Sequence, residues 1–192
     1  KSRLGINAAI LLASGLVCKV VGALFRLPLT NVLGVEGIGV FQLIMSLFSF
    51  ALVLSSGGAT VALSKMIATL RAKGDHIRIA VCFKRAILQA VGISLVLGGV
   101  FAVLWKQIST IQNINPNKSY VLFFVLLPLG AIVSVLRGYF QGQENMLPTM
   151  ASQLLEQLAK FLLGVVLAFV FVKQGVEAGV FGAFLGIMFS EL

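Results

Sequence analysis

Six windows of mainly apolar residues, each long enough to cross a lipid bilayer, recur along this chain of 192 residues. A membrane-spanning helix needs about 20 such residues, because the hydrocarbon core is about 30 Å thick. The windows cover residues 4–24, 39–65, 84–105, 120–140, 149–172 and 176 onward. We number them as spans one to six, all helical, and predict an all-α, polytopic membrane protein.

Composition supports this class, because 59% of the residues are hydrophobic and only 11% are charged. The first span is too soon followed by another to be a cleaved signal peptide. Because the chain begins without Met and ends inside its last apolar window, we expect it to be a fragment. The lone His76 lacks Cys or His residues at ligand spacing, and Cys18 and Cys82 do not indicate a disulfide framework. No nucleotide-binding glycine loop appears, so we expect no metal or cofactor.

The distribution of Lys and Arg predicts the orientation in the membrane. With a cytoplasmic N terminus, nine basic residues lie on the cytoplasmic side: Lys1, Arg3, Lys65, Arg71, Lys73, Arg78, Lys84, Arg85 and Arg137. The outer side then holds Arg26, Lys106, Lys118 and Lys173. We interpret the net charge of +9 as a topology signal that also attracts anionic lipid heads, and we expect no nucleic-acid partner.

Two polar stretches separate the spans on opposite sides of the membrane. Residues 65–86 carry basic residues seven apart, which suggests an amphipathic element on the inner membrane surface. A plain solvated loop explains the same charges, and both interpretations stay open. Residues 106–120 form a short polar outer loop with a Pro-Asn turn signal.

Span one contains charges that lipid disfavours. Gly15, Lys19, Gly22 and Arg26 recur at helical spacing and share one face. Such charges usually face a cavity or a partner. Arg26 also fits a side chain that snorkels to the outer interface, whereas Lys19 lies about 10 Å deeper at about 1.5 Å per residue. We therefore expect Lys19 to face a hydrated cavity. Arg26 either faces the same cavity or snorkels to the outer interface.

Span two carries a polar stripe on one face. Gln42, Ser46 and Ser49 begin it, and Ser56 and Thr60 continue it toward the other end. The stripe could line the same cavity as Lys19, or its hydroxyls could serve helix packing and bond back to their own helix. Residues 55–58, Ser-Ser-Gly-Gly, predict a bend in mid-helix.

The stretch "RGYFQGQENMLPTMASQLLEQLAKF", residues 137–161, places polar residues between two apolar spans. Pro128 predicts a kink in span four, which delivers Arg137 to its inner end, and Pro148 suits the first turn of span five. Span five then carries Gln153, Glu156, Gln157 and Lys160. Glu156 and Lys160 are four residues apart and can neutralise each other while facing a cavity. A pair that merely holds helices together is the alternative.

This stretch and "SGLVCKVVGALFRLPLTNVLGVEGIGVFQ", residues 14–42, resemble one transporter group over essentially the whole chain. The group comprises the polysaccharide exporters and lipid II flippases, in particular the stage V sporulation protein B-like branch, of the multidrug/oligosaccharidyl-lipid/polysaccharide (MATE-fold) superfamily. The resemblance implies a two-lobe, inverted-V transporter working by alternating access. Residues 1–192 would be its six-helix N-terminal lobe, and the C-terminal lobe would be absent from this chain.

The implied function is translocation of an undecaprenyl-pyrophosphate-linked peptidoglycan or polysaccharide precursor across the bacterial cytoplasmic membrane. Lys19 and Arg26 match basic first-span residues of the lipid II flippases, although Arg26 sits one residue later than in the proteobacterial pattern. The implied partners are the lipid-linked oligosaccharide and membrane lipids, with H⁺, Na⁺ or the membrane potential as driver. No enzyme activity is expected.

Two alternatives to this function remain open. The first is a cation-coupled multidrug exporter of the same fold, in which Glu156 would be the coupling carboxylate. The second is a non-transporting membrane protein of cell-envelope or spore assembly. The candidate cavity residues are Lys19, Arg26, Gln42, Ser46, Ser49, Arg137, Gln153, Glu156 and Lys160.

Overall fold

The fold is an assembly of long helices, seen in a computed structural model that describes residues 2–111 and 121–191. The helices are α1 (Ser2–Ala72), α2 (His76–Ile111), α3 (Val121–Gly142), α4 (Leu147–Val172) and α5 (Val176–Glu191). No strand occurs in these two ranges, so the all-α prediction is confirmed. Most of the predicted outer loop, including Lys118, lies outside the described residues.

Gly34 divides α1 into two arms, residues 2–33 and 35–72. Its backbone angles are φ 71° and ψ −179°, a conformation that only glycine adopts at no steric cost. The rings of Phe25 and Phe41 then meet with their centroids 6.3 Å apart. In an unbroken helix, sixteen residues would separate them by about 24 Å along the axis. The chain therefore reverses at Gly34, and six helical segments result.

In the described residues, the turns between helical segments lie at two ends of the helix assembly. At one end, the Arg71 guanidinium donates a hydrogen bond to the Gln143 carbonyl, which joins the α1–α2 turn to the α3–α4 turn. At the other end, Gly37 beside the break lies against Val176, where a methyl group on Gly37 would come within 2.7 Å of that side chain. The helix assembly thus has two opposite ends, and turns of the described chain cluster at each of them.

The helices have the surface of a multi-pass membrane protein. The four stretches 12–72, 76–110, 124–142 and 147–172 are long and apolar enough to cross a membrane, and the first contains both arms of α1. Large apolar side chains such as Leu12, Leu88 and Val103 are about three-quarters exposed. Lipid is the environment in which such a surface is stable.

The main core lies where both arms of α1 meet α3, α4 and α5. Leu29, Ile44, Leu126 and Phe184 are fully buried there. A second, smaller cluster around Ile67 and Val135 joins the far end of α1 to α2 and α3. Small residues bring helices close, because α4 and α5 touch backbone to backbone at Gly164 and Gly186. This close packing fixes the positions of the polar residues on α4.

Several local predictions from the sequence need correction. Residues 25–38, between the first two predicted spans, are helical except at Gly34, because a single glycine suffices for the reversal. Residues 65–86 are not one separate element or loop but the ends of α1 and α2, joined by a turn at 73–75. At residues 55–58, the predicted site of a bend, the backbone is helical, and the hydroxyls of Ser55 and Ser56 donate to the Leu52 carbonyl. The expected first-turn position of Pro148 in α4 is confirmed.

Candidate functional site

A charged cluster joins α3 to α4 in the interior of the helix assembly. The Arg137 Nη2 atom lies 2.6 Å from Glu156 Oε2, and Lys160 Nζ lies 3.2 Å from Glu156 Oε1. The exposed fractions of the three side chains are 20%, 12% and 17% for Arg137, Glu156 and Lys160. The predicted Glu156–Lys160 pair is therefore present, and Arg137 is a second cation on the same carboxylate.

Ser152 extends this cluster by one turn of α4. Arg137 Nε donates to the Ser152 hydroxyl oxygen over 3.2 Å, and that hydroxyl donates to the Thr149 carbonyl over 2.9 Å. Arg137 thus has two partners on α4, and its fork of donors is held in one orientation. With two cations on one carboxylate, the cluster keeps one unit of positive charge.

A cavity of about 450 Å³ opens beside Arg137, between α3, α4 and α5. Its polar lining includes Arg137, Ser152, Glu156 and Glu191, and we call it the Arg137 cavity. Glu191 is close enough to Glu156 to interact with it electrostatically. The buried Thr149 hydroxyl, also in the lining, has no hydrogen-bond partner in the described part of the chain. Local spacing gave no signal for Ser152, Thr149 or Glu191, because their neighbours are brought in by other helices.

A second cavity, of about 350 Å³, lies between both arms of α1 and α4, and we call it the Arg26 cavity. Five of the predicted site residues line it: Arg26, Gln42, Ser46, Ser49 and Lys160. Gln157 lines it too, and the first arm of α1 packs against α4 at Gly22, where an added Cβ would lie 3.8 Å from Gln157 Oε1. Lys160 lines the Arg26 cavity while it contacts Glu156 of the Arg137 cavity. The charged cluster therefore forms the wall between the two cavities.

The polar stripe of span two divides into two parts with different surroundings. Gln42, Ser46 and Ser49 are exposed and line the Arg26 cavity, although the Ser46 hydroxyl also donates to the Gln42 carbonyl. Farther along, Thr60 Oγ1 donates to the Ser134 carbonyl of α3 over 3.1 Å. The first part therefore lines a cavity, although Lys19 does not line it, and the second part serves helix packing.

Lys19 and Gln153 lie outside the linings of these two cavities. Lys19 is exposed and has no ion-pair partner among residues 2–111 and 121–191. It precedes Gly22 by three residues and Arg26 by seven, so all three lie on one face of the first arm. Gln153 is half-buried on α4, one turn before Glu156. Their roles as cavity residues stay predictions.

The arrangement suits the binding of an anionic group. Arg26, Lys160 and Arg137 present charged donors around two adjoining cavities, and the two carboxylates in the linings, Glu156 and Glu191, offset only two of these three charges. Serine and glutamine side chains add neutral hydrogen-bond donors beside them. In the described residues, no group of three His, Cys, Asp or Glu side chains is placed to hold a metal ion.

Comparison with known proteins gives consistent matches. A family model described as "Polysaccharide biosynthesis protein" matches residues 4–192. The chain is 33% identical to "Stage V sporulation protein B" of Bacillus subtilis over 95% of its own length and 36% of that protein. It is 30% identical to "Uncharacterized membrane protein YabM" over 92% of the chain and 33% of that protein, from the same bacterium.

A third relative carries a functional name. The chain is 26% identical to "Lipid II flippase MurJ" of Bacillus subtilis over 76% of the chain and 29% of that protein. This chain therefore spans about a third of the length of the curated relatives it matches. No solved structure matches.

Proposed function

Because this chain belongs to the polysaccharide biosynthesis protein family, we propose that it is part of a lipid-linked oligosaccharide flippase. Its substrate is an undecaprenyl-pyrophosphate-linked peptidoglycan or polysaccharide precursor, moved across the bacterial cytoplasmic membrane. The matches to "Stage V sporulation protein B" and "Lipid II flippase MurJ" support this substrate class. The chain acts as the N-terminal lobe of a two-lobe transporter with alternating access, and its N terminus is cytoplasmic.

One observation carries this proposal: cations outnumber carboxylates around the cluster that separates the two cavities. Arg137 and Lys160 contact Glu156, and Arg26 lines the Arg26 cavity with Lys160, so three cations and two carboxylates, Glu156 and Glu191, line the two cavities. A pyrophosphate is a dianion or more, which lipid does not accept, whereas cations in a cavity of low dielectric attract it strongly. Lys19 is exposed and has no ion-pair partner among the described residues. It adds a further cation on the helix face of Gly22 and Arg26.

A multidrug exporter driven by H⁺ or Na⁺ is the second candidate. The observation in its favour is a second carboxylate, Glu191, on the lining of the cavity that contains Glu156. Against it, Glu156 is held by Arg137 and Lys160 and is not available to a transported cation. For the flippase, we propose the membrane potential or one of the same ion gradients as the driver.

The test uses the full-length protein that contains this chain in a strain depleted of its lipid II flippase. We expect the protein to restore growth and to lower the amount of undecaprenyl-pyrophosphate-linked precursor that accumulates in the cytoplasmic leaflet. Resistance to cationic dyes, measured in the same strain, should not change. Dye resistance without any effect on the precursor would instead favour the multidrug exporter.

A further inference from the structure

A groove runs between the second arm of α1 and the first half of α2, away from both cavities described above. It consists of two adjoining cavities of about 510 Å³ and 620 Å³. Met66, Cys82 and Arg85 line both of them, so the space is continuous. We call it the α1–α2 groove.

The two ends of this groove differ in chemistry. One end carries Lys65, Arg78 and Arg85. Arg78 Nε is paired with Asp75 at 3.1 Å, whereas Lys65 and Arg85 have no ion-pair partner in the described part of the chain. The other end reaches Ala62 and Gly92 and is lined mainly by small and apolar side chains. An occupant with a charged head and an apolar tail would match both ends.

The length of the groove fits one leaflet of a bilayer. From Thr69 at the basic end to Ser55 at the apolar end, the second arm rises about 21 Å at about 1.5 Å per residue. Half of the hydrocarbon core is about 15 Å thick, and the headgroup region lies beyond it. The groove therefore extends from the headgroup level to about the middle of the membrane.

We propose that the α1–α2 groove binds one anionic phospholipid of the cytoplasmic leaflet. Its phosphate contacts Lys65 and Arg85, and one acyl chain lies between Ala62 and Gly92. Anionic lipids are concentrated in that leaflet, and they attract basic residues at its surface. A lipid seated in this way touches α1 and α2 together, so it stabilises the hairpin formed by these two helices.

The test measures lipid retention by the purified full-length protein in a neutral detergent. Native mass spectrometry and thermal unfolding are compared with phosphatidylglycerol, with phosphatidylcholine and with glycerol 3-phosphate, which has no acyl chains. We expect only phosphatidylglycerol to be retained and to raise the unfolding temperature. Each lost contact charge should weaken its binding about fivefold, so Lys65→Gln combined with Arg85→Gln should weaken it about 25-fold.

Two further variants separate a defined site from general surface attraction. Lys84→Gln removes an exposed charge next to Arg85 that does not line the groove, and it should leave binding nearly unchanged. Gly92→Leu fills the apolar end, where an added Cβ meets no atom within 4 Å, so it should weaken lipid binding without unfolding the protein. Equal loss with Lys84→Gln, or equal binding by wild type and the double variant, would overturn the proposal. We would then infer that another part of the full-length protein, and not a lipid, covers the groove.

Discussion

The guanidinium of Arg137 on α3 lies 2.6 Å from the carboxylate of Glu156 on α4. Lys160, one turn farther along α4, contacts the other oxygen of the same carboxylate at 3.2 Å. Glu156 therefore links two helices and holds two cations in a setting where only 12% of its side chain is exposed. The stability of the helix assembly and the charge of its cavities both depend on this one residue.

Replacement of Glu156 by Gln should destabilise the protein strongly. It leaves Arg137 and Lys160 close together without a counter-ion, and breaking a buried pair in this way costs about 3–5 kcal/mol. Thermal unfolding of the solubilised full-length protein and its level in membranes would show the loss. Glu36→Gln is the matched control, because Glu36 is exposed beside the break at Gly34 and should tolerate the change. An equally stable Glu156→Gln protein would show that the charged cluster does not stabilise the helix assembly.

The two cations should differ in their effects on folding. Lys160→Met leaves the Arg137–Glu156 contact intact, so we expect a nearly normal protein level but reduced transport, since the Arg26 cavity loses a charge. Arg137→Met removes the shorter contact and the bond to Ser152, and it should lower stability more. For each of the two variants, the protein level in membranes reports stability and the translocation of the precursor reports transport.

The double variant Glu156→Gln/Lys160→Met examines the same cluster. An isolated Glu156–Lys160 pair, as the sequence spacing suggested, would make the double variant more stable than either single variant. With Arg137 still lacking its carboxylate, we expect the double variant to stay clearly destabilised. Full recovery of stability in the double variant would show that Arg137 does not depend on Glu156.

Local patterns in the sequence were enough for the helices and for one contact of the site. The apolar windows predicted an all-α chain, which the structure confirms, and the four-residue spacing predicted the Glu156–Lys160 pair. The partnership of Arg137 with Glu156 could not be found in this way, because it depends on the register between α3 and α4. Hydropathy falls near residues 25–38 while the backbone there remains helical, so the sequence pattern does not single out Gly34 as the point of reversal.

Glycines at the α4–α5 contact should be intolerant of even a methyl group. A Cβ on Gly186 would lie 2.4 Å from the backbone of Gly164, so Gly186→Ala forces the two helices apart and should cost about 1–3 kcal/mol. Gly99→Ala is the matched control on α2, where an added Cβ meets nothing within 4 Å. It should be neutral or stabilise the helix by up to about 1 kcal/mol. Thermal unfolding of both variants tests this difference. Equal changes in the unfolding temperature would argue against the contact between α4 and α5.

Labelling of introduced cysteines tests the orientation of the chain in the membrane directly. Lys73 and Gln174 lie in turns at opposite ends of the helix assembly. In a background without Cys18 and Cys82, a membrane-impermeant thiol reagent added to intact cells should label Gln174→Cys but not Lys73→Cys. Lys73→Cys should react only after permeabilisation, because the basic residues at its end of the helix assembly favour the cytoplasmic side. The reverse pattern would overturn the proposed orientation.

The charges of Lys19 and Lys160 should be required for transport but not for folding. Lys19→Ala removes an exposed cation on the face of Gly22 and Arg26, and Lys160→Met removes one from the Arg26 cavity. Lys19→Ala should not restore growth of a flippase-depleted strain although its membrane level stays normal, because we expect Lys19 to contact the substrate phosphate. Lys19→Arg, which keeps the charge, should restore part of the growth. Normal growth with Lys19→Ala would show that transport does not require this charge.

The most direct measurement is flipping in proteoliposomes that contain the full-length protein and a fluorescent undecaprenyl-pyrophosphate-linked sugar. The account predicts that wild-type protein moves this lipid between leaflets, that Lys19→Ala and Lys160→Met move it at least tenfold more slowly, and that an undecaprenol-linked sugar without pyrophosphate is not moved. Equal rates for the two lipids, or wild-type rates for both variants, would contradict the claim that cavity cations recognise the pyrophosphate.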